Sequence, residues 1–364
     1  MVAIGLMSGT SRDGIDAAMI RTDGEGRTEP MGFYGVAYAA DFRERLAAAC
    51  LKAMAMETPG ADPLIGAVER DLTALHADAV QGLLAQLGMA AEDVDIIGFH
   101  GHTVAHRPER GWTWQIGDWA GLASASRIDV VGDLRIDDVR AGGQGAPLLP
   151  VYHRALTAGL RHPLAVLNLG GVANITFVGS DETLIAFDTG MASGLIDNWM
   201  QAHGGVGFDE DGGTAARGKV DAAVLAGMLA DPWFALPAPT SIDREAFSIA
   251  AAEGLGLTDG AATLTAFTAQ AVARALDHLP ERPERIMVAG GGRHNRTMMT
   301  MLAEACGCPV EPVDGMGWNG DAVEAEGFAY MAVRSLKGLP ISFPGTTGAP
   351  APMTGGTLHR ARKG

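Results

Sequence analysis

A duplicated mixed α/β fold of two lobes is what this sequence predicts, on three observations. Val2 to Ser8 reads as an apolar strand, followed by a polar turn framed by Gly9 and Gly14 and a second strand from Ile15. Leu164–Leu169, the turn Gly170-Gly171 and Ala173–Val178 repeat that pattern, and helical and strand periodicities alternate after each pair. Glycine turns recur at 9–14, 142–145, 170–171 and 290–292, each read as a strand end, where ligands of α/β proteins collect.

The 364 residues suffice for two domains of ordinary size. They divide here as an N-terminal lobe 1–150, a C-terminal lobe 151–340 and an extension 341–364. Hydrophobic residues at 47% and charged residues at 19% support a large core, and 50 glycines without a period exclude a collagen-like chain. A net charge of −16 argues against nucleic acid or an anionic membrane as partner, since both need a basic footprint. Cys50, Cys306 and Cys308 are an odd, sparse set that fits a reducing compartment, and Cys306-Gly307-Cys308 lacks a second ligand pair for a metal. With no signal-like start and no apolar run approaching ~18 residues, a soluble cytoplasmic protein is expected.

In order, Met31–Ala39 reads as a strand, Asp41–Ala55 and Ile65–Leu87 as helices, and Val94–Phe99 as a short strand entering a polar loop at His100. Strands at Trp112–Ile116 and Val130–Leu134 enclose a helix at Asp118–Ser126. Asp133–Pro150, with Asp133, Arg135, Asp138 and Gln144, reads as a glycine-rich loop before a helix at Val151–Ala158. The second half adds a strand Thr183–Phe187, helices near Leu195–Ala202, Lys219–Leu229 and Thr263–Leu279, a break at Pro232–Pro239 and a strand Arg285–Ala289. Helices at Met298–Cys306 and Asp321–Leu336 precede a Gly/Pro/Thr-rich tail with little core of its own.

A strand–turn–strand has no helix N-terminus, so a phosphate at Gly9–Asp16 would be held by turn amides and by the hydroxyls of Ser8, Thr10 and Ser11. Asp13 and Asp16 could hold Mg²⁺, often through water. Neither a P-loop nor a dinucleotide-binding glycine pattern is present. Asp188 ends an apolar strand, where a carboxylate is costly unless paired or employed; it is either a general base or a helix-capping aspartate. Asp188-Thr189-Gly190 occurs once, whereas an aspartic protease needs two such aspartates. Asp321 and Glu324 stand at capping-box spacing, and Glu324 is alternatively a second site carboxylate. His100, His102 and His106 fit hydrogen bonding better than zinc, and Trp112, Trp114 and Trp119 fit either a core or a sugar ring.

Further motifs run in order along nearly the whole chain: Gly5-Leu6-Met7-Ser8-Gly9-Thr10-Ser11, Gln115-Ile116-Gly117-Asp118, Ala141-Gly142-Gly143-Gln144-Gly145-Ala146-Pro147, Asn168-Leu169-Gly170-Gly171-Val172-Ala173-Asn174, Phe187-Asp188-Thr189-Gly190, Phe208-Asp209, Gly290-Gly291-Gly292 and Asp321-Ala322-Val323-Glu324. Together they resemble the anhydro-N-acetylmuramic acid kinases of the sugar kinase/Hsp70/actin superfamily. The resemblance implies an actin-like ATPase fold, with ribonuclease H-like lobes of mixed sheet and flanking helices around a central cleft. It implies ATP and Mg²⁺ as cofactors, a homodimer, and a reaction of peptidoglycan recycling in which 1,6-anhydro-N-acetylmuramic acid is opened by water and phosphorylated on O6. Carried over, Asp188 is the catalytic base and Glu324 orients the water. Gly9, Thr10, Ser11, Arg12, Asp13, Gly14, Ile15 and Asp16 form the phosphate loop, with Asp13 and Asp16 toward the metal. Gly170, Gly171 and Asn174 are its counterpart, Gly290, Gly291 and Gly292 approach the adenosine, and His100, Gln144 and Asp209 contact the sugar.

The chain departs from the family pattern at Met191-Ala192-Ser193, where Pro-Gly-Asn is usual, at His102 in place of Gln, at Asp243-Arg244-Glu245, and at Asn319-Gly320. A weakened homologue that only binds nucleotide or sugar, or a kinase for a related sugar, is the alternative these departures raise.

Overall fold

The computed structural model describes residues 1–9, 11–236, 240–242 and 247–361; Thr10 and Asp243-Arg244-Glu245 lie outside them. The chain folds into two compact units, 1–159 with 322–364, and 160–321. The division expected at 150 and 340 differs from this, because the last long helix and the tail pack with the first unit.

In the first unit, β1 (Val2–Ser8), β2 (Gly14–Thr22) and β3 (Thr28–Ala37) form an antiparallel meander, and β1 then pairs parallel with β4 (Ile96–Arg107). A hairpin adds β5 (Trp112–Ile116) to β4, and β6 (Val130–Gly132) continues the parallel side. Helices α1 (Ala40–Met54), α2 (Pro63–Leu87), α3 (Trp119–Ser126), α4 (Ile136–Arg140) and α5 (Pro150–Thr157) complete this stretch. The start of α2 follows from sequence chemistry: the Asp62 side chain accepts the Leu64 and Ile65 amides, and Pro63 occupies the first turn.

The second unit repeats the order. The strands β7 (Leu164–Leu169), β8 (Val172–Val178) and β9 (Leu184–Met191) are an antiparallel meander; β7 pairs parallel with β10 (Ile286–Ala289), and β10 with β11 (Val310–Pro312). Its helices are α6 (Ser193–Trp199), α7 (Ala222–Leu229), α8 (Leu257–Ala275) and α9 (Arg296–Cys306), over a core that includes Phe177, Phe187, Trp199 and Phe267. An antiparallel meander whose first strand pairs parallel with a later strand, which pairs parallel with a further one, is thus built twice, the duplication the sequence predicts.

Returning to the first unit, α10 (Val323–Leu336) lies across β1 and β4, followed by α11 (Pro344–Thr347) and β12 (Thr357–His359), which pairs with β6. The crossing is backbone on backbone: a Cβ on Gly5 would stand 1.7 Å from the Ala325 carbonyl oxygen, and one on Gly98 2.0 Å from that of Phe328. The two faces of this sheet carry separate cores, one around Phe42, Leu72 and Phe99, the other around Tyr152, Phe328 and Tyr330. Trp112, Trp114 and Trp119 are partly buried and pack against the former.

Several elements differ from expectation. His100–Arg107 is strand rather than loop, because pairing with β5 satisfies its backbone. Residues 142–145 follow α4 and not a strand. β9 runs on through Met191, and α8 starts six residues early. The N-cap of α10 is Ala322 without a side-chain bond, so the Asp321/Glu324 capping box does not form. The tail is built into the first unit's core through buried Ile341. Part of the expected break, 237–239, lies outside the described residues. Among those residues no helix is long and apolar enough to cross a membrane.

Candidate active site

In the second unit, strand register assembles a polar row. Asn168 of β7 faces Asn174 of β8, and Asn174 faces Asp188 of β9. All three are half-buried among apolar strand neighbours. A register shift between Ala173 and Asn174 leaves Thr189 unpaired and brings Asp188 beside Asn174; such bulges re-aim side chains. Asp188 Oδ2 accepts the Ile242 amide at 2.9 Å, and the Asp188 amide donates to the Thr240 carbonyl at 2.9 Å. Burial pushes the Asp188 carboxyl up to about 7, against the pull of the Ile242 amide. A carboxylate poised there can exchange a proton with water near neutrality.

The turn Gly170-Gly171 anchors the segment after Asp188: the Gly171 carbonyl accepts the Ala192 amide and the Gly170 carbonyl the Ser193 amide, both at 3.0 Å. Met191 and Ala192 are buried in the core, so this departure from the family pattern is accommodated by packing.

Gly290 ends β10 with φ +79°, and a Cβ there would lie 2.4 Å from Asn168 Oδ1. Gly291 faces open space, and Gly292 lies over Leu169. Buried Arg293 fixes this turn: Nε donates to Asp314 at 2.7 Å, and Nη1 to Asp321 at 2.8 Å and to the Gly290 carbonyl at 3.1 Å. Asp321 is therefore an ion-pair partner. Gly290→Ala is expected to lower Tm by several degrees, because strain and the Asn168 overlap both displace the turn. Thermal melts beside wild type check this.

Asp209 is buried, with Oδ1 accepting the Thr214 amide at 2.7 Å and Oδ2 the Ala215 amide at 2.9 Å. Its carboxylate braces the 210–217 turn.

In the first unit, the Arg12 amide donates to the Gly9 carbonyl at 3.0 Å and closes the turn between β1 and β2, with Arg12 at φ +58°. Ser11 Oγ donates to Asp13 Oδ1 at 2.6 Å. Gly14 has a packing reason, since a Cβ there would meet the Val36 carbonyl oxygen at 2.2 Å. Ile15 is buried in the core and offers a ligand only its backbone. Beneath the turn, Ser8 Oγ meets the Tyr38 hydroxyl at 2.7 Å and His102 Nδ1 at 2.9 Å, while His102 Nε2 lies 3.7 Å from Cys50 Sγ. Burial and Arg12 push His102 down to about 4, so it is a neutral prop.

Exposed Asp13 and half-buried Asp16 flank Tyr38; burial, chiefly, and both carboxylates raise its hydroxyl. No group of three or more metal-ligating side chains forms among the described residues. Two carboxylates suit Mg²⁺, which keeps several waters and takes phosphate oxygens, better than a fully caged ion.

Around His100 a second network forms. Arg135 Nε donates to His100 Nε2 at 2.8 Å, so the ring is neutral with Nδ1–H donating to the Gly101 carbonyl at 2.9 Å. Burial and Arg135 hold His100 well below its ordinary range. Arg135 Nη1 donates to the Gly145 carbonyl at 2.7 Å, beside half-buried Gln144. Glu324, in the first turn of α10, is raised by burial and by Asp13, with Arg135 opposing. The sequence marks Arg135 and Asp138 only as polar positions in a glycine-rich segment, and it passes over Tyr38 and Arg293. A basic residue directly after three glycines was the available signal for Arg293.

A family model described as anhydro-N-acetylmuramic acid kinase matches residues 1–361. The chain is 61% identical over 361 residues to the anhydro-N-acetylmuramic acid kinase of Rhizorhabdus wittichii, covering 99% of both chains. It is 52% identical to that of Zymomonas mobilis, covering 99% of this chain and all of that one. Against that of Rhodospirillum rubrum it is 50% identical, over 99% of this chain and 94% of the other.

Proposed function

The chain belongs to the anhydro-N-acetylmuramic acid kinase family, and from that premise we propose that it uses ATP to convert 1,6-anhydro-N-acetylmuramic acid to N-acetylmuramic acid 6-phosphate and ADP. The observation that carries the reading is Asp188, a carboxyl pushed up to about 7 beside the bulge within β9.

The Asp188 carboxylate takes a proton from water as that water's oxygen bonds to the anomeric carbon. The bond from that carbon to O6 breaks, and its electron pair stays on O6, which bonds to the γ-phosphorus as ADP departs. Glu324 steers the water. His100, Gln144 and Asp209 orient the sugar, and Gly9–Asp16 with Gly170, Gly171 and Asn174 orient the phosphates; phosphoryl transfer needs mainly such positioning. Asp13 and Asp16 would hold Mg²⁺, which supplies charge compensation for the phosphates. Gly290–Gly292 admit the adenosine, with Gly291 as the open position. The sugar derives from peptidoglycan, so the reaction belongs to cell-wall recycling in the cytoplasm. A homodimer, implied by the resemblance, is checked by light scattering.

With ATP, Mg²⁺ and the anhydro sugar, one ADP is expected per sugar 6-phosphate. A folded sample that binds the sugar but forms neither product contradicts the proposal and favours a binding-only homologue.

A further inference from the structure

We propose that the C-terminal segment 341–349 is a positioning element for the sugar-side loop 142–147, acting through the buried carboxylate of Asp138. The proposal rests on the reading of Gln144 and His100 as sugar contacts.

Asp138 is 2% exposed, a setting in which a carboxylate persists only with several donors. One donor comes from the loop: the Gly145 amide reaches Asp138 Oδ1 at 2.6 Å. Two come from the tail: the Ser342 hydroxyl donates to Oδ2, and Thr347 Oγ1 donates to the same oxygen at 2.6 Å. Ser342 and Thr347 are both fully buried. The tail also holds the loop directly, since the Gln144 amide donates to the Thr347 carbonyl at 2.6 Å.

Gly145 is therefore gripped at both ends, its N–H by Asp138 and its carbonyl by Arg135, whose Nε reaches His100. A continuous set of bonds runs from the tail through Asp138, Gly145 and Arg135 to His100. The tail presents its hydroxyls in a fixed frame: the Ile341 amide donates to the Met353 carbonyl at 2.8 Å, and the Met353 amide to the Ser342 carbonyl at 2.9 Å. Donors about 200 residues downstream thus set the backbone on both sides of Gln144, and positioning errors near 1 Å cost binding and rate heavily.

Thr347→Val replaces the hydroxyl by a methyl and keeps the carbonyl that holds Gln144. Its KM for the anhydro sugar is expected to rise roughly tenfold, the scale of one charge-assisted bond, with KM for ATP within about twofold of wild type. Thr347→Ser should restore the wild-type value. Hydrogen exchange at the Gln144 and Gly145 amides should quicken in Thr347→Val, with the β1–β2 amides unchanged. An unchanged sugar KM, a parallel rise for sugar and ATP, or no rescue by serine would overturn the proposal. Ser342→Ala, read the same way, serves if Thr347→Val does not fold. Wild-type enzyme inactive on the sugar defeats the proposed function instead, while exchange at 144 and 145 still decides whether the tail holds the loop.

Discussion

Asp188→Asn is expected to lower kcat about 10³-fold, within the range for loss of a general base, while ATP affinity stays within about twofold. The amide is isosteric and its oxygen can still accept the Ile242 amide, so the change removes the proton acceptor and little else. Because the carboxyl is pushed up to about 7, wild-type kcat/KM should fall as pH drops below that value, and the variant's residual activity should lack this limb. Stability moves the other way. A carboxyl raised in the folded state contributes stability that is present below its unfolded value and lost as pH rises through about 7. Asp188→Asn should therefore raise Tm at pH 8 relative to wild type and match it near pH 3. A variant less stable at pH 8 would assign Asp188 a structural role.

Gly5→Ala is expected to cost about 3 kcal/mol or more, roughly a 10 °C fall in Tm for a unit of this size. The added methyl would stand 1.7 Å from the Ala325 carbonyl oxygen and 2.6 Å from the Ala329 nitrogen, both backbone atoms of α10. No rotamer relieves such an overlap, so the helix must lift from β1 and carry Glu324 with it. Gly26→Ala, where a Cβ would meet nothing within 4 Å, is the control and should be near neutral. Thermal melts of the two variants side by side decide the point.

The paired antiparallel strands were legible because unbroken apolar runs stopped at glycine turns, at Ser8–Gly14 and at Leu169–Val172. Asp188 was legible as a carboxylate on an apolar strand, yet its neighbours Asn168 and Asn174 become neighbours only through register and a bulge. The full length of β4 is not legible in the sequence because three histidines and Gly101 carry no strand periodicity; β5 makes the strand by pairing with it. Asp321 read as a cap because its spacing to Glu324 is local, whereas the bond that claims it comes from Arg293, 28 residues away. The tail looked like surface because its Gly, Pro and Thr residues are polar or small. The buried hydroxyls of Ser342 and Thr347 find their partner in Asp138, more than 200 residues upstream, which composition does not register.

In the proposed reaction, water activated by Asp188 opens the anhydro ring before O6 takes the phosphate. Turnover in ¹⁸O-labelled water tests it directly, quenched within minutes and read by mass spectrometry against unlabelled product held in the same water. One ¹⁸O is expected on the anomeric carbon of the 6-phosphate sugar and none in its phosphate. Label in the phosphate, or a phosphorylated sugar with the anhydro bond intact, would contradict it.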